Sequence, residues 1–139
     1  MTEQEKISQK LESLGEYLRY LKMCRKYSLE ELKGDPIIRG AVERYLHLAA
    51  ECVIDIAEIM IATRGLRKPE DYREAIDILG EAEIIPAAFA GYFSPIAGFR
   101  NILVHEYARI DLQEVYRHLV KDLDDFEKFA QFIARSVEK

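Results

Sequence analysis

The sequence predicts an all-α fold, an up-and-down helical bundle of four to five helices in a single domain covering residues 1–139. Three observations predict it. Apolar residues recur at three- and four-residue spacing over long stretches. No segment alternates apolar and polar residues as a half-buried strand does, and no internal repeat or low-complexity linker divides the chain. Helix start and stop signals stand where the periodicity breaks. With 139 residues, 49% of them hydrophobic, the chain can bury a sizeable core.

From Glu5 to Cys24, Ile7, Leu11, Leu14, Leu18, Leu21 and Met23 recur at helical spacing, with Tyr17 and Tyr20 beside them. Ser28 and Glu31 form a capping-box pattern, so a short helical turn is expected from Ser28 to Lys33. Gly34, Asp35 and Pro36 then supply a stop, a cap and a first-turn proline for a helix running to about Ala62. Its stripe of Val42, Tyr45, Leu46, Ala49, Cys52, Val53, Ile56, Ala57 and Met60 is wider than one partner helix requires, which marks it as central. Arg64, Gly65, Leu66, Arg67, Lys68 and Pro69 close it, with cations at the negative helix end and a glycine for the C-cap. The segment "PEDYREAIDILGEAE" reads as a shorter helix. Pro86, Gly91, Pro95 and Gly98 break regularity until "IAGFRNILVHEY" resumes it, and a last helix is expected from about Asp111 to Ser136.

Composition removes several function classes. No stretch approaches the roughly 20 uncharged apolar residues of a membrane span, and "MTEQEKISQKLES" lacks the apolar run of a signal peptide, so a soluble, cytoplasmic protein is expected. Cys24 and Cys52 stand alone, without a CxxC or Cys/His grouping, and are expected to be reduced, buried thiols. A formal net charge of -5 argues against coating nucleic acid through a general positive field, so any such contact must be local.

The densest chemistry lies in "GFRNILVHEY", where Arg100, Asn101, His105 and Tyr107 interrupt an apolar pattern. On an ideal helix Asn101 and His105 fall one turn apart on one face, while Arg100 and Tyr107 share another with Val104. Two geometries would bring Arg100 and His105 to one phosphate: an unwinding near Glu106, or a second copy placed across a two-fold axis. The broad stripe of the central helix favours the second. The residue types suit RNA cleavage without a metal, since a neutral histidine can take the proton of a ribose 2′-hydroxyl while an arginine holds the phosphate and its developing charge. The competing reading is that a His and an Arg near a helix C-terminus compensate the dipole.

Other polar groups carry weaker signals. His47, near Arg44 and Glu51, is expected to be a surface or satisfied interior histidine rather than a group facing the cleft. His118, beside Arg117 and Lys121, is expected on a solvated face with no role. Glu51, Asp55 and Glu58 stand at i, i+4 and i+7, a row better explained by a polar face or ion pairs than by a metal, since no Glu-x-x-His accompanies it. Arg64, Arg67 and Lys68 form the densest basic cluster, with phosphate binding the minor reading.

"RNILVHEY" resembles the R-x-x-x-x-H-x-Y signature of HEPN-domain toxins of the HepT family, and Arg100, His105 and Tyr107 fit it without an insertion. The similarity extends through "AVERYLHLAAECVIDIAEIMIA", "GLRKPEDYREAIDILGE" and "AGFRNILVHEY" with its following acidic helix, most of the chain. The resemblance implies a HEPN-like helical homodimer with endoribonuclease activity on tRNA or mRNA. It implies as partner a minimal nucleotidyltransferase of the MntA type, the antitoxin of a type VII toxin-antitoxin system. It further implies that Arg100 and His105 are the catalytic pair, Asn101 a supporting residue and Tyr107 the site of AMPylation. No metal, cofactor or membrane is expected. Two alternatives stay open: a noncatalytic helical module that docks a minimal nucleotidyltransferase, and a dimeric domain in which Arg100 contacts the phosphate of a bound nucleotide.

Overall fold

The computed structural model describes residues 1–105 and 110–138. Helix α1 (Glu3–Cys24) starts at Thr2, whose hydroxyl accepts from the Glu5 amide at 3.1 Å, and buries Ile7, Leu14, Leu18 and Leu21. Helix α2 (Leu29–Gly34) opens with the reciprocal Ser28–Glu31 capping box that the sequence predicts. Asp35 then caps α3 (Pro36–Thr63) by accepting from the Ile37 and Ile38 amides. Its fixed-φ proline stands in the first turn, where no intrahelical donor is lost. Gly65, at φ +64°, closes α3 in the left-handed region, and the Leu66 amide donates back to the Ile61 carbonyl at 3.0 Å.

Helix α4 (Tyr72–Glu81) is capped by Asp71, which accepts from the Glu74 amide at 2.8 Å. It is followed by α5 (Ala87–Phe93), α6 (Ile96–His105), α7 (Leu112–Arg117), a π-helical turn (His118–Asp122) and α8 (Leu123–Val137). The fold is the all-α bundle expected. Helix α3 is its axis, packing on α1, α2, α4, α6 and α8. Ten of its side chains from Val42 to Met60, among them Leu46, Val53 and Ile56, are buried together with Ile61. Among the described residues no helix is long and apolar enough to cross a membrane.

Two elements depart from the sequence expectation. The stretch from Pro86 to Gly98, expected to be irregular, contains α5. Pro86 precedes its first turn, where its missing N–H costs nothing. The helix is held by rings: Phe93 meets Phe126 edge-on at 5.4 Å and stacks on Phe129 at 5.5 Å, and Phe89 meets Phe132 at 5.2 Å. The last helix, expected to be uninterrupted, carries the π turn. Its buried positions Val115, Leu119 and Leu123 are spaced by four twice in succession. Each such step overshoots an ideal α-helical turn by about 40°. A wider i→i+5 turn absorbs the excess and keeps the three on one side.

Where α4 meets α5 the helices touch backbone to side chain. A Cβ added to Gly80 would lie 2.5 Å from the Ala90 Cβ and 3.4 Å from the Ala87 Cα. Gly80→Ala is therefore expected to destabilise the fold by about 1–3 kcal/mol despite alanine's higher helix propensity. Gly15→Ala, with open space around its Cβ on the exposed side of α1, is expected to stabilise it by up to about 1 kcal/mol. Urea denaturation of both variants checks the contrast, and equal shifts would contradict the close α4–α5 approach.

Candidate functional site

Helix α6 turns Ile96, Ala97, Phe99 and Leu103 into the core against α3 and α4. That apolar face fixes which residues are left for chemistry: Arg100 at its edge, and Asn101 and His105 exposed. The Arg100 side chain, only 13% exposed, lies back against α3. Its Nε donates to Glu51 Oε1 at 2.6 Å, and a second guanidinium nitrogen pairs with the same carboxylate. Its Nη1 donates to Asn101 Oδ1 at 2.9 Å, and its Cζ stands 5.3 Å from the centre of the Tyr72 ring.

Glu51 is held from the other side by His47, whose Nε2 lies 3.2 Å from Oε1. Arg44 Nη1 lies 3.2 Å from His47 Nδ1. Arginine has only donors, so this hydrogen bond requires Nδ1 to accept and leaves Nε2–H to donate to Glu51. A chain of Arg44, His47, Glu51, Arg100 and Asn101 thus crosses from α3 to α6. Burial pushes the Glu51 carboxyl up, but hydrogen bonds from Arg100 and His47 outweigh it and hold the group below its ordinary 4.5. Glu51 is an anion at neutral pH, and it orients Arg100 while competing with any phosphate that would bind there.

The predicted residues are only partly brought together. Arg100 and Asn101 are hydrogen-bonded neighbours. His105 is five residues beyond Arg100, about 140° around the helix, one turn from Asn101 on a different face. Glu106 and Tyr107 lie outside the described residues. The unwinding near Glu106 and the position of the Tyr107 phenol are therefore beyond what the structure describes.

His47, expected to be a surface or satisfied interior residue, has an 18% exposed side chain hydrogen-bonded to the carboxylate that anchors Arg100. Its i, i+4 spacing to Glu51 was the legible signal. Glu51 itself, 49 positions before Arg100, carried none as the partner of that arginine. Its neighbour in the acidic row, Asp55, pairs with Lys10 at 2.9 Å, in line with the expectation of a polar face or ion pairs for that row.

His118 corrects an expectation. It is 8% exposed, not on a solvated face, because the π turn directs its ring inward to within 4.1 Å of the Phe99 ring centre. Desolvation lowers its pKa below 6.5, with the Asp122 carboxylate 2.7 Å from Nδ1 opposing. Of the basic cluster after α3, Arg64 and Arg67 are taken up by carboxylates. Arg64 is forked onto Glu3 and also reaches Ser136, and Arg67 binds both Glu74 and Glu81. Cys52 is buried as expected, its thiol pushed up to about 11 by desolvation, whereas Cys24 is only half-buried.

Chemically, the surface of α6 offers a nearly buried guanidinium held in one orientation, an exposed amide and an exposed imidazole. Such groups can bind a phosphate and move protons. Among the described residues no group of His, Cys, Asp and Glu is arranged to hold a metal ion.

Comparison with known proteins adds to this geometry. The family model described as Ribonuclease HepT-like matches residues 7–133. The chain is 30% identical over 127 residues to the tRNA nuclease HepT of Aphanizomenon flos-aquae, covering 91% of this chain and 86% of that protein. It is 28% identical over 103 residues to the mRNA nuclease HepT of Shewanella oneidensis, covering 74% and 77%. The fold superposes, with a TM-score of 0.84 and 24% identity, on the tri-AMPylated HEPN toxin of Shewanella oneidensis solved in complex with MNT antitoxin, covering 93% of this chain and 96% of that one.

Proposed function

Because the chain belongs to the ribonuclease HepT-like family, we propose that it is the toxin of a HepT/MntA toxin-antitoxin pair, an endoribonuclease that cleaves tRNA or mRNA without a metal ion. The observation that carries the reading is the surface of α6: Arg100 locked in one orientation by Glu51, with Asn101 and His105 exposed at the end of the same helix.

Since Arg100 and His105 point about 140° apart, one copy does not present both to a single phosphate. The active site is composite, made across the two-fold axis of a homodimer, so that two imidazoles and two guanidinium groups face one cleft. A neutral His105 takes the proton of a ribose 2′-hydroxyl. The resulting oxygen attacks the adjacent phosphorus, the bond to the 5′-oxygen breaks, and the second copy's imidazole, in its protonated form, protonates that leaving oxygen. The products are a 2′,3′-cyclic phosphate and a 5′-hydroxyl. Arg100 supports the charge that develops on the phosphate oxygens, and Asn101 steadies Arg100. Incoming phosphate displaces part of the Glu51 contact, which holds the guanidinium ready until then.

Tyr107 is the site at which a cognate MntA-like nucleotidyltransferase attaches AMP. The added bulk and negative charge beside the cleft repel the RNA backbone. The test begins with the protein freed of antitoxin. It is expected to run as a dimer by light scattering at micromolar concentration and to cleave RNA in EDTA to products bearing a 2′,3′-cyclic phosphate. With nucleotidyltransferase, ATP and magnesium it should gain AMP on Tyr107 by mass spectrometry and lose that activity. A monomer, or AMP on another residue, would overturn the corresponding part.

The Glu51 contact also favours a second reading. If Arg100 serves only to tie α6 to α3, the protein is a noncatalytic helical module that docks a minimal nucleotidyltransferase. Complex formation without any RNA cleavage would select it.

A further inference from the structure

One cleft and one carboxylate of the acidic row, Glu58, have no part in the chemistry above, and they meet. Between the end of α3 and the start of α4 lies a cavity of about 410 Å³, walled by Ile61, Leu66, Pro69 and the Tyr72 ring, with Glu58 and Lys68 at its polar edge. It shares a wall with the Arg100 site, because Tyr72 both lines the cavity and has the Arg100 guanidinium 5.3 Å from its ring centre. Glu58 follows Glu51 by seven residues on α3 and so shares the helix face from which Glu51 holds Arg100.

The composition of this cleft selects a ligand. Carboxylates outnumber cations along it, with Glu70 and Asp71 beside Glu58, so it repels a phosphate and suits an uncharged group that presents N–H donors. Its apolar walls and a partly exposed tyrosine suit a flat aromatic ring. A single-stranded nucleotide whose phosphate reaches Arg100 carries its base within reach of Tyr72. The ionised carboxylate has acceptors only. Guanine places two N–H donors side by side on its Watson–Crick edge, at N1 and N2, which a carboxylate accepts together. Adenine and cytosine each present an unprotonated ring nitrogen there, facing the carboxylate with a lone pair, and uracil presents only one N–H between two carbonyls.

We propose that this cleft is a base-selecting subsite that takes one unpaired guanine next to the scissile phosphate, stacked on Tyr72 and read by Glu58. The subsite rests on the ribonuclease reading for its substrate. Burial first, and then the negative charges of Asp55 and Glu51, raise the Glu58 carboxyl above its ordinary value, with Arg100 opposing. Those charges make a pair of N–H donors the fitting neighbour for it.

The test separates binding from cleavage. Fluorescein-labelled 2′-O-methyl heptanucleotides, six uridines around a central G, A, C or U, lack the attacking hydroxyl and stay intact with the wild-type protein. By fluorescence anisotropy the G oligomer is expected to bind at least 10-fold more tightly than the other three. Tyr72→Ala is expected to weaken the G oligomer by roughly 10-fold through lost stacking. Glu58→Gln, on an exposed position that leaves folding intact, is expected to remove the preference for G while leaving the U oligomer within about 2-fold. Equal binding of all four oligomers by wild-type protein, or an unchanged G preference in Glu58→Gln, overturns the subsite and leaves the cleft as a wall for a cationic protein segment. Parallel mapping of cuts in ordinary RNA keeps the two proposals apart. A G preference in binding without any cleavage overturns the ribonuclease and leaves the subsite standing, whereas cleavage without base preference does the reverse.

Discussion

Replacing His105 or Arg100 with alanine is expected to lower RNA cleavage by about 10²-fold or more, each through a different loss. Without the imidazole, no positioned base takes the 2′-hydroxyl proton. Without the guanidinium, the charge developing on the phosphate has no fixed cation beside it. Neither change should unfold the protein. His105 is exposed at the end of α6, and removing the Arg100 side chain leaves Glu51 with 28% of its own side chain already in contact with water and with its His47 hydrogen bond retained. The loss of the Arg100 pair should cost roughly 1–3 kcal/mol of stability, well within the 5–15 kcal/mol of an ordinary domain. Cleavage assays in EDTA, with circular dichroism and melting curves on the same samples, check the result. Wild-type rates in both folded variants would sink the catalytic assignment and leave the docking module as the function. Arg100→Lys sharpens the test, since lysine keeps the charge but cannot fork onto Glu51 and phosphate together.

The largest effect on stability is expected at Phe126. It is fully buried on α8, meets Phe93 edge-on at 5.4 Å and so ties α5 to the last helix. Phe126→Ala removes a large ring from a packed core and leaves a cavity that the surrounding helices cannot close, costing about 3–5 kcal/mol. Urea denaturation reads this as a fall in midpoint at constant slope. A loss under about 1 kcal/mol would mean that α5 repacks freely. The effect should reach function, because α5 runs through Ser94 and Pro95 directly into α6, and a loosened α5 lets the start of that helix move. Phe126→Leu, which keeps most of the volume, should recover a large part of both stability and activity.

The bundle itself was legible in the residues for physical reasons that operate within a few positions. A serine or aspartate hydroxyl or carboxylate satisfies amides two and three residues on, and Ser28 and Asp35 do so where the sequence signals capping. Apolar side chains three and four apart share a helix face, which is why the stripe from Val42 to Met60 turned out to be the buried face of α3. Such rules fail where packing outweighs local preference. Pro86 and Pro95 read as breakers, yet the rings of Phe89 and Phe93 found partners on α8 and a helix formed between the two prolines. Likewise His118 sits between Arg117 and Lys121 in a stretch that reads as solvated, and only the π turn puts its ring against Phe99.

What the sequence determined by itself was the helical class, the caps, the central helix and the short run from Arg100 to Tyr107 that resembles the family signature. Each of these lies in residues close enough along the chain to interact before the fold exists. Only the tertiary structure decided that Arg100 would be held by Glu51 with His47 behind it, and that the Tyr72 ring, which lines a cavity together with Glu58, would stand 5.3 Å from the same guanidinium. Those contacts join residues tens of positions apart. They depend on how α6 and α4 seat against α3, which is set by the volumes of buried side chains along all three helices and by the close approach at Gly80. No window of sequence contains that sum, so the residues that orient the arginine became visible only when the helices were packed.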